Sequence, residues 1–233
     1  MFQNSYNLQI AEENKLVKGK VRLLPGSGVN CERFSVLPYP DGGNGVDGAP
    51  VVFNYIGRVL NEKGVDDYIA AAKIIKKEYP NVIFNVIGPV ERTESHYIEE
   101  LNALQKDGVI RYFEEQDDIK PFVERAHATI LPSVYGEGMS NALLESAAMG
   151  RVLITTDNPG CRETVINDVT GYIFKGRDVF GLVEKIKIFL ALDNETRKQM
   201  GLDGRKHVEE NFDRKTVVEL YKQEINDIFI KKS

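Results

Sequence analysis

Short apolar runs rich in β-branched and aromatic residues alternate with helical periodicity along almost the whole chain. The runs fall at 21–25, 51–57, 81–88, 109–113, 128–132, 151–156 and 171–174. Several are continuously apolar rather than alternating, as in NVIFNVIG, the pattern of a strand buried on both faces. Between them lie helical stretches. In 65–79 the residues Tyr68, Ala71, Ala72, Ile75 and Tyr79 share one stripe, and Pro80 ends the run. Further helices are predicted over 95–106, 119–126, 141–149 and 179–192, and the tail 194–231 reads as helical with a break near 211–213. Repeated strand–helix units of this kind predict an α/β fold, a parallel sheet covered by helices on both faces. Ligands of such sheets sit beyond the carboxyl ends of the strands. PYPDGGNGVDGAP, at 38–50, reads as a surface loop.

The composition narrows the class. The 233 residues and 42% hydrophobic content suffice for one large α/β domain or two small ones. A net charge of −5 leaves no basic surplus to neutralise phosphates, which argues against nucleic acid as a partner. Cys31 and Cys161 fit neither a metal nor a redox spacing and read as reduced thiols. His96, His127 and His207 form no ligand set and read as structural or surface residues. No apolar run reaches the ~20 residues of a membrane span. MFQNSYNLQIAEEN lacks the basic-then-apolar pattern of a secretory signal. The expectation is a soluble, cytoplasmic chain.

Two connections carry candidate chemistry. The helix opening near Ser140 follows the strand ATILPS and the loop VYGEGM, so its first amides face the carboxyl edge, where a helix N-terminus favours anions. Gly136 and Gly138 let a ligand approach the backbone. Glu137, in that loop, can accept hydrogen bonds from a polyol, and Glu145, about one and a half turns into the helix, can reach a second set of hydroxyls. A helical glutamate is as readily a surface carboxylate. In the second connection, YIGRVLNEKGVDDYI, Arg58 follows Gly57 at a strand's carboxyl end and Lys63 precedes the next helix. Two cations there can clamp a diphosphate, although a lone Arg or Lys on a loop is more often simply solvated. The acidic run EEQDD reads as a solvated turn and helix cap rather than an Asp-x-Asp metal site.

These segments resemble the retaining glycosyltransferases of family 4, with the two-domain GT-B fold. EGMSNALLE fits the family's E-x7-E motif, YIGRVLNEKGVDDYIAAA its GR…KG segment, and LLPGSGVNCERF the lead into its second domain. NPGCRETV, GYIF and FDRKTVVELYKQEI follow in the family's order and spacing. The closest flavour is that of bacterial capsular and surface-polysaccharide enzymes. The resemblance implies a Rossmann-like donor-binding domain, the C-terminal half of a GT-B fold. It implies that Arg58 and Lys63 hold the diphosphate of a nucleotide-sugar and stabilise it as it leaves. Glu137 would bind hydroxyls of the transferred sugar, helped by the amides of Gly138, Met139 and Ser140, and Glu145 would accept the ribose hydroxyls. Gly57 and Gly88 would border the ligand at their strand ends, and the base would lie near the backbone of Ile110 and Arg111. Uridine is the expected nucleoside, as the commonest in the family. No cofactor or metal is implied, because cationic side chains and a helix dipole do that work. The sequence departs from the pattern at Asn30, where the family more often has Asp, and at GPVE (88–91), where many members have a glycine–acid–glycine loop.

The resemblance also implies an absence. Residues 1–30 look like the remnant of an N-terminal domain with its hinge, 31–233 like the donor domain, and 213–231 like a helix crossing toward the absent half. That half would bind a glycan or lipid-linked acceptor, and the full enzyme would have peripheral contact with the inner face of the cytoplasmic membrane. A truncated chain and a partner chain supplying the other half both fit. The functions that remain open are the donor half of a sugar transferase inactive by itself, one subunit of a split enzyme, and a sugar-nucleotide-binding module without transfer activity.

Overall fold

The computed structural model describes residues 2–17, 21–136 and 138–230. Six strands form one sheet in the order β3-β2-β1-β4-β5-β6, with every pairing parallel. They are β1 (Val51–Ile56), β2 (Val82–Ile87), β3 (Arg111–Phe113), β4 (Ala128–Leu131), β5 (Val152–Thr156) and β6 (Gly171–Phe174). The helices are α1 (Ser5–Glu13), α2 (Val65–Glu78), α3 (His96–Lys106), α4 (Lys120–Glu124), α5 (Asn141–Ala148), α6 (Val179–Ala191), α7 (Asn194–Phe212) and α8 (Arg214–Ile230). This is the Rossmann-like arrangement the alternation predicts, and its order reverses between β1 and β4. At that reversal the two outgoing connections leave in opposite directions and open a crevice.

The continuously apolar strands are buried throughout, as in β1, β4 and β5. α2 packs with α6 in one layer and α5 with α7 in the other. Phe53, Phe84 and Phe189 cluster in the core, with ring centroids 5.4 and 5.5 Å from Phe53. The Tyr68 hydroxyl is fully buried and lies 3.0 and 2.9 Å from the carbonyls of Phe53 and Asn85, which satisfies its polar tip. The helical stripe of 65–79 is thus the inner face of α2. The tail breaks where predicted: α7 ends at Phe212, and Asp213 separates it from α8.

Two elements differ from the sequence-based expectation. The run 21–25 is not a strand of the sheet; Leu23 only bridges Phe2, through bonds from Phe2 N to Arg22 O and from Leu24 N to Phe2 O. Among the described residues no further bridge extends the ladder. Conversely, α1 forms where no helix was expected. Its start is fixed locally, since the Asn4 side chain caps the amide of Asn7 at 2.8 Å.

The loop 38–50 has no regular element but is tied down by buried cations. Arg151 and Arg197 are each 1% exposed. Arg151 donates to the carbonyls of Val123, Pro38 and Glu124, and Arg197 to those of Phe189, Leu190 and Gly43. Several carbonyls on one guanidinium make its burial tolerable and fasten loop to core. At the other boundary, Val29 N donates to Phe212 O and Arg214 N to Val29 O, both at 2.9 Å. This two-bond clasp joins the incoming chain to the α7–α8 junction. Gly28, with φ 65°, permits it, since a Cβ there would lie 2.8 Å from the Phe212 carbonyl.

Candidate functional site

The carboxyl-edge loops form one hydrogen-bonded rim around the β1/β4 crevice. Val134 N and Tyr135 N both donate to the Glu62 carbonyl, at 2.8 and 2.9 Å. Arg177, after β6, donates to Asn61 Oδ1 at 2.7 Å, and the Asn158 amide donates to the Tyr135 carbonyl. The connections after β1, β4, β5 and β6 therefore hold one another in place.

Within this rim, Gly64 does a specific job. It caps the short 3₁₀ turn Asn61–Lys63 in the left-handed region, at φ 78°. A Cβ there would fall 2.1 Å from the Pro132 carbonyl oxygen, so only glycine lets the β1–α2 loop press onto the end of β4. That contact places Lys63 Nζ 4.9 Å from the Tyr135 ring centroid. The Arg58 guanidinium lies over the same ring, its Cζ 5.9 Å from the centroid. Two cations that the sequence sets five residues apart thus meet at one aromatic ring. Arg58 Nη1 also donates to Glu91 Oε2 at 2.8 Å. That bond raises the guanidinium's pKa above its ordinary value.

Across the crevice, α5 starts at Asn141 with no side chain capping its first turn. Ser140 is buried and its amide donates to the Gly160 carbonyl at 2.9 Å. Gly138 and Met139 are half-buried, and the Asn4 amide donates to Gly138 O at 3.1 Å. The N-terminal residues Gln3 and Asn4 thereby form one wall of the loop. Glu137 lies outside the described residues. Glu145 is half-buried on α5, and no hydrogen bond or ion pair engages its carboxylate among the described residues. Burial pushes its pKa up, while Arg33 and Arg214 pull it back down. A partly desolvated carboxylate without a protein donor is suited to accept ligand hydroxyls.

Gly57 and Gly88 meet at the ends of β1 and β2, where a Cβ on Gly88 would lie 2.1 Å from the Gly57 carbonyl oxygen. Ile110 and Arg111 do not join this set. Arg111 is the first residue of β3 and pairs with Asn85, two residues before the end of β2, so Ile110 and Arg111 lie short of the carboxyl edge. The end of β3 that reaches the ligand edge is Phe113, whose carbonyl accepts from Gly88 N at 3.0 Å. A cavity of about 510 Å³ opens there between Pro89, Val90, Tyr112 and Glu114. Sequence reasoning set the base near Ile110 and Arg111, taken there as the end of a strand, whereas the strand that forms runs from Arg111 to Phe113. It also passed over Tyr135, whose signal was an aromatic residue inside a glycine loop, and Glu91, which appeared only as a departure from the family pattern.

Residues 42–207, well over half of the chain, match the family model described as Glycosyl transferases group 1. The chain belongs to that family. Among its relatives, this family member is 32% identical over 185 residues to the capsular polysaccharide biosynthesis glycosyltransferase CapM of Staphylococcus aureus, covering 78% of the chain and 47% of CapM. It is 25% identical over 239 residues to the N,N'-diacetylbacillosaminyl-diphospho-undecaprenol alpha-1,3-N-acetylgalactosaminyltransferase of Campylobacter jejuni, covering 98% and 61%. Of solved structures, a glycosyltransferase from Rickettsia africae superimposes with a TM-score of 0.83 at 22% identity, over 99% of this chain and 63% of that one. Anabaena HepE in complex with UDP superimposes at 0.81 and 15% identity, over 97% and 63%. These neighbours are GT-B glycosyltransferases and show the shared fold. The chain spans about half the length of the curated relatives it matches. No helix among the described residues of this family member is long and apolar enough to cross a membrane.

Proposed function

We propose that this chain is the nucleotide-sugar-binding half of a retaining glycosyltransferase of bacterial surface-polysaccharide biosynthesis. The observation that carries the reading is the convergence of Arg58 and Lys63 on Tyr135, across the crevice from the α5 N-terminus and Glu145. The two cations hold the diphosphate and offset its charge as it leaves. The loop amides at Gly138, Met139 and Ser140, with Glu137, hold the transferred sugar, and Glu145 takes the ribose hydroxyls. The base lies in the cavity at the end of β3, beside Gly88, rather than at Ile110 and Arg111. With two cations already at the diphosphate, no metal is required, and EDTA leaves donor binding unchanged. Uridine is the first nucleoside to test, with a lipid-linked or glycan acceptor.

The chain alone binds the donor without efficient transfer. Positioning an acceptor hydroxyl can supply about 7–11 kcal/mol of a barrier, and among the described residues nothing stands across the crevice to hold one. Calorimetry of the purified chain against UDP, GDP and ADP tests the binding claim, and the absence of binding to all three overturns it. Robust transfer by the chain alone overturns the claim that it is half an enzyme, and transfer restored by an N-terminal half in trans supports it.

A further inference from the structure

The donor-site reading leaves Glu91 unexplained. It puts a carboxylate where the ligand's own negative charge has to sit. The backbone fixes this arrangement. Val59 and Val90 form a parallel bridge, with Val59 N donating to Pro89 O at 2.8 Å and Glu91 N to Val59 O at 3.2 Å. Residues 58 and 91 lie on diagonal sides of that bridge, and their long side chains close the gap, Arg58 Nη1 to Glu91 Oε2 at 2.8 Å. The tight apposition of Gly57 and Gly88 holds the two loops at this spacing. The guanidinium is also seated against Tyr135, and both partners are partly open to solvent, at 50% and 35% exposure. A diphosphate can therefore reach Arg58 without any loop opening.

We infer that Glu91 is a resident stand-in for the diphosphate, a positioning residue that holds Arg58 over Tyr135 in the empty site and is exchanged for phosphate oxygens when a nucleoside diphosphate binds. The inference rests on the donor-site reading above. The exchange has two consequences. Arg58 is already oriented when ligand arrives, and every bound diphosphate competes with a tethered carboxylate and is repelled by it. Glu91 therefore weakens binding and speeds product release. Its effect is confined to ligands that carry phosphate. Both effects are electrostatic at an exposed site, so salt screens them.

The test is calorimetry of the full 233-residue chain with uridine, UDP, GDP and ADP, for the wild type, Glu91→Gln, Arg58→Ala and the double variant. Glu91→Gln is expected to tighten diphosphate binding by about three- to tenfold, as for loss of an exposed competing ion pair plus a repulsion. Uridine affinity stays unchanged, the gain shrinks in 0.5 M salt, and most of it disappears in the Arg58→Ala background. Thermal melting of the ligand-free variant serves as a control for folding. Unchanged or weaker diphosphate binding by a folded Glu91→Gln protein overturns the inference, as does an equal gain for uridine. If neither wild type nor variant binds any diphosphate, the donor-site reading itself is overturned, and this inference with it.

Discussion

Replacing Gly64 with alanine should damage ligand binding without touching ligand. Two costs follow from the structure. The backbone sits at φ 78°, and an L-residue held in the left-handed region costs about 1–2 kcal/mol. The new Cβ would also lie 2.1 Å from the Pro132 carbonyl oxygen, a backbone atom that cannot swing aside. Relieving such an overlap by shifting a packed loop typically costs about 1–3 kcal/mol more. The sum is roughly 2–5 kcal/mol of stability. Gly108 supplies the control, because it has φ 70° with no atom within 4 Å of an added Cβ. Gly108→Ala should show the backbone cost alone, about 1–2 kcal/mol. The assay is urea denaturation at matched m-values, paired with UDP calorimetry. The shift that accommodates the Gly64 overlap lifts Lys63 off Tyr135, so Gly64→Ala should lose UDP affinity about tenfold or more while Gly108→Ala keeps it. If the two variants are equally stable, or if Gly64→Ala binds UDP as the wild type does, the packing argument is wrong.

Three further outcomes are expected. Arg58→Ala and Lys63→Ala should each weaken diphosphate binding by about 1.5–3 kcal/mol, a factor of about ten to a hundred, and spare the nucleoside; equal losses for both ligands would contradict the clamp. Glu145→Ala should weaken UDP and UDP-sugar alike, whereas Glu137→Ala should affect only the sugar-bearing donor, and identical behaviour of the two would end the division of roles. His127 is fully buried, its Nδ1 accepts from Val52 N at 3.1 Å, and burial with Arg197 and Arg151 nearby pushes its pKa down to about 4. The unfolded chain then takes up that proton first, so its stabilising contribution is complete above pH ~6.5 and is lost as the pH falls toward about 4, a total of roughly 3 kcal/mol. A His127 ring that titrates near its ordinary value by NMR would refute this.

The sheet was legible chiefly because β1, β4 and β5 are buried throughout, which wrote them as largely apolar runs. The helices of the two layers were legible from their stripes, and the break at Asp213 from the Asn-Phe-Asp interruption of the tail. α1 escaped because its residues show little apolar asymmetry and its start depends on a cap by Asn4. The run 21–25 misled for the opposite reason: apolar residues there suggested a strand where, among the described residues, Phe2 is the one bridge partner. At the site, Arg58, Lys63 and Glu145 could be named from their positions at strand ends and helix starts. That Tyr135 gathers the two cations, and that Glu91 occupies one of them, depends on loops meeting across the strand-order reversal, and no local pattern encodes that meeting.

The clasp of Val29 with Phe212 and Arg214 has a consequence for how this unit can be used in other chains. The body between those residues begins and ends at one place, the two crossing strands being about 5 Å apart, the spacing of neighbours in a sheet. A segment with adjoining ends can be spliced into a host loop without stretching either flank. Turning α8 and the chain before Val29 against the sheet would take torsion at only two peptide segments, but it would also break the bond from Asn4 to the Gly138 carbonyl.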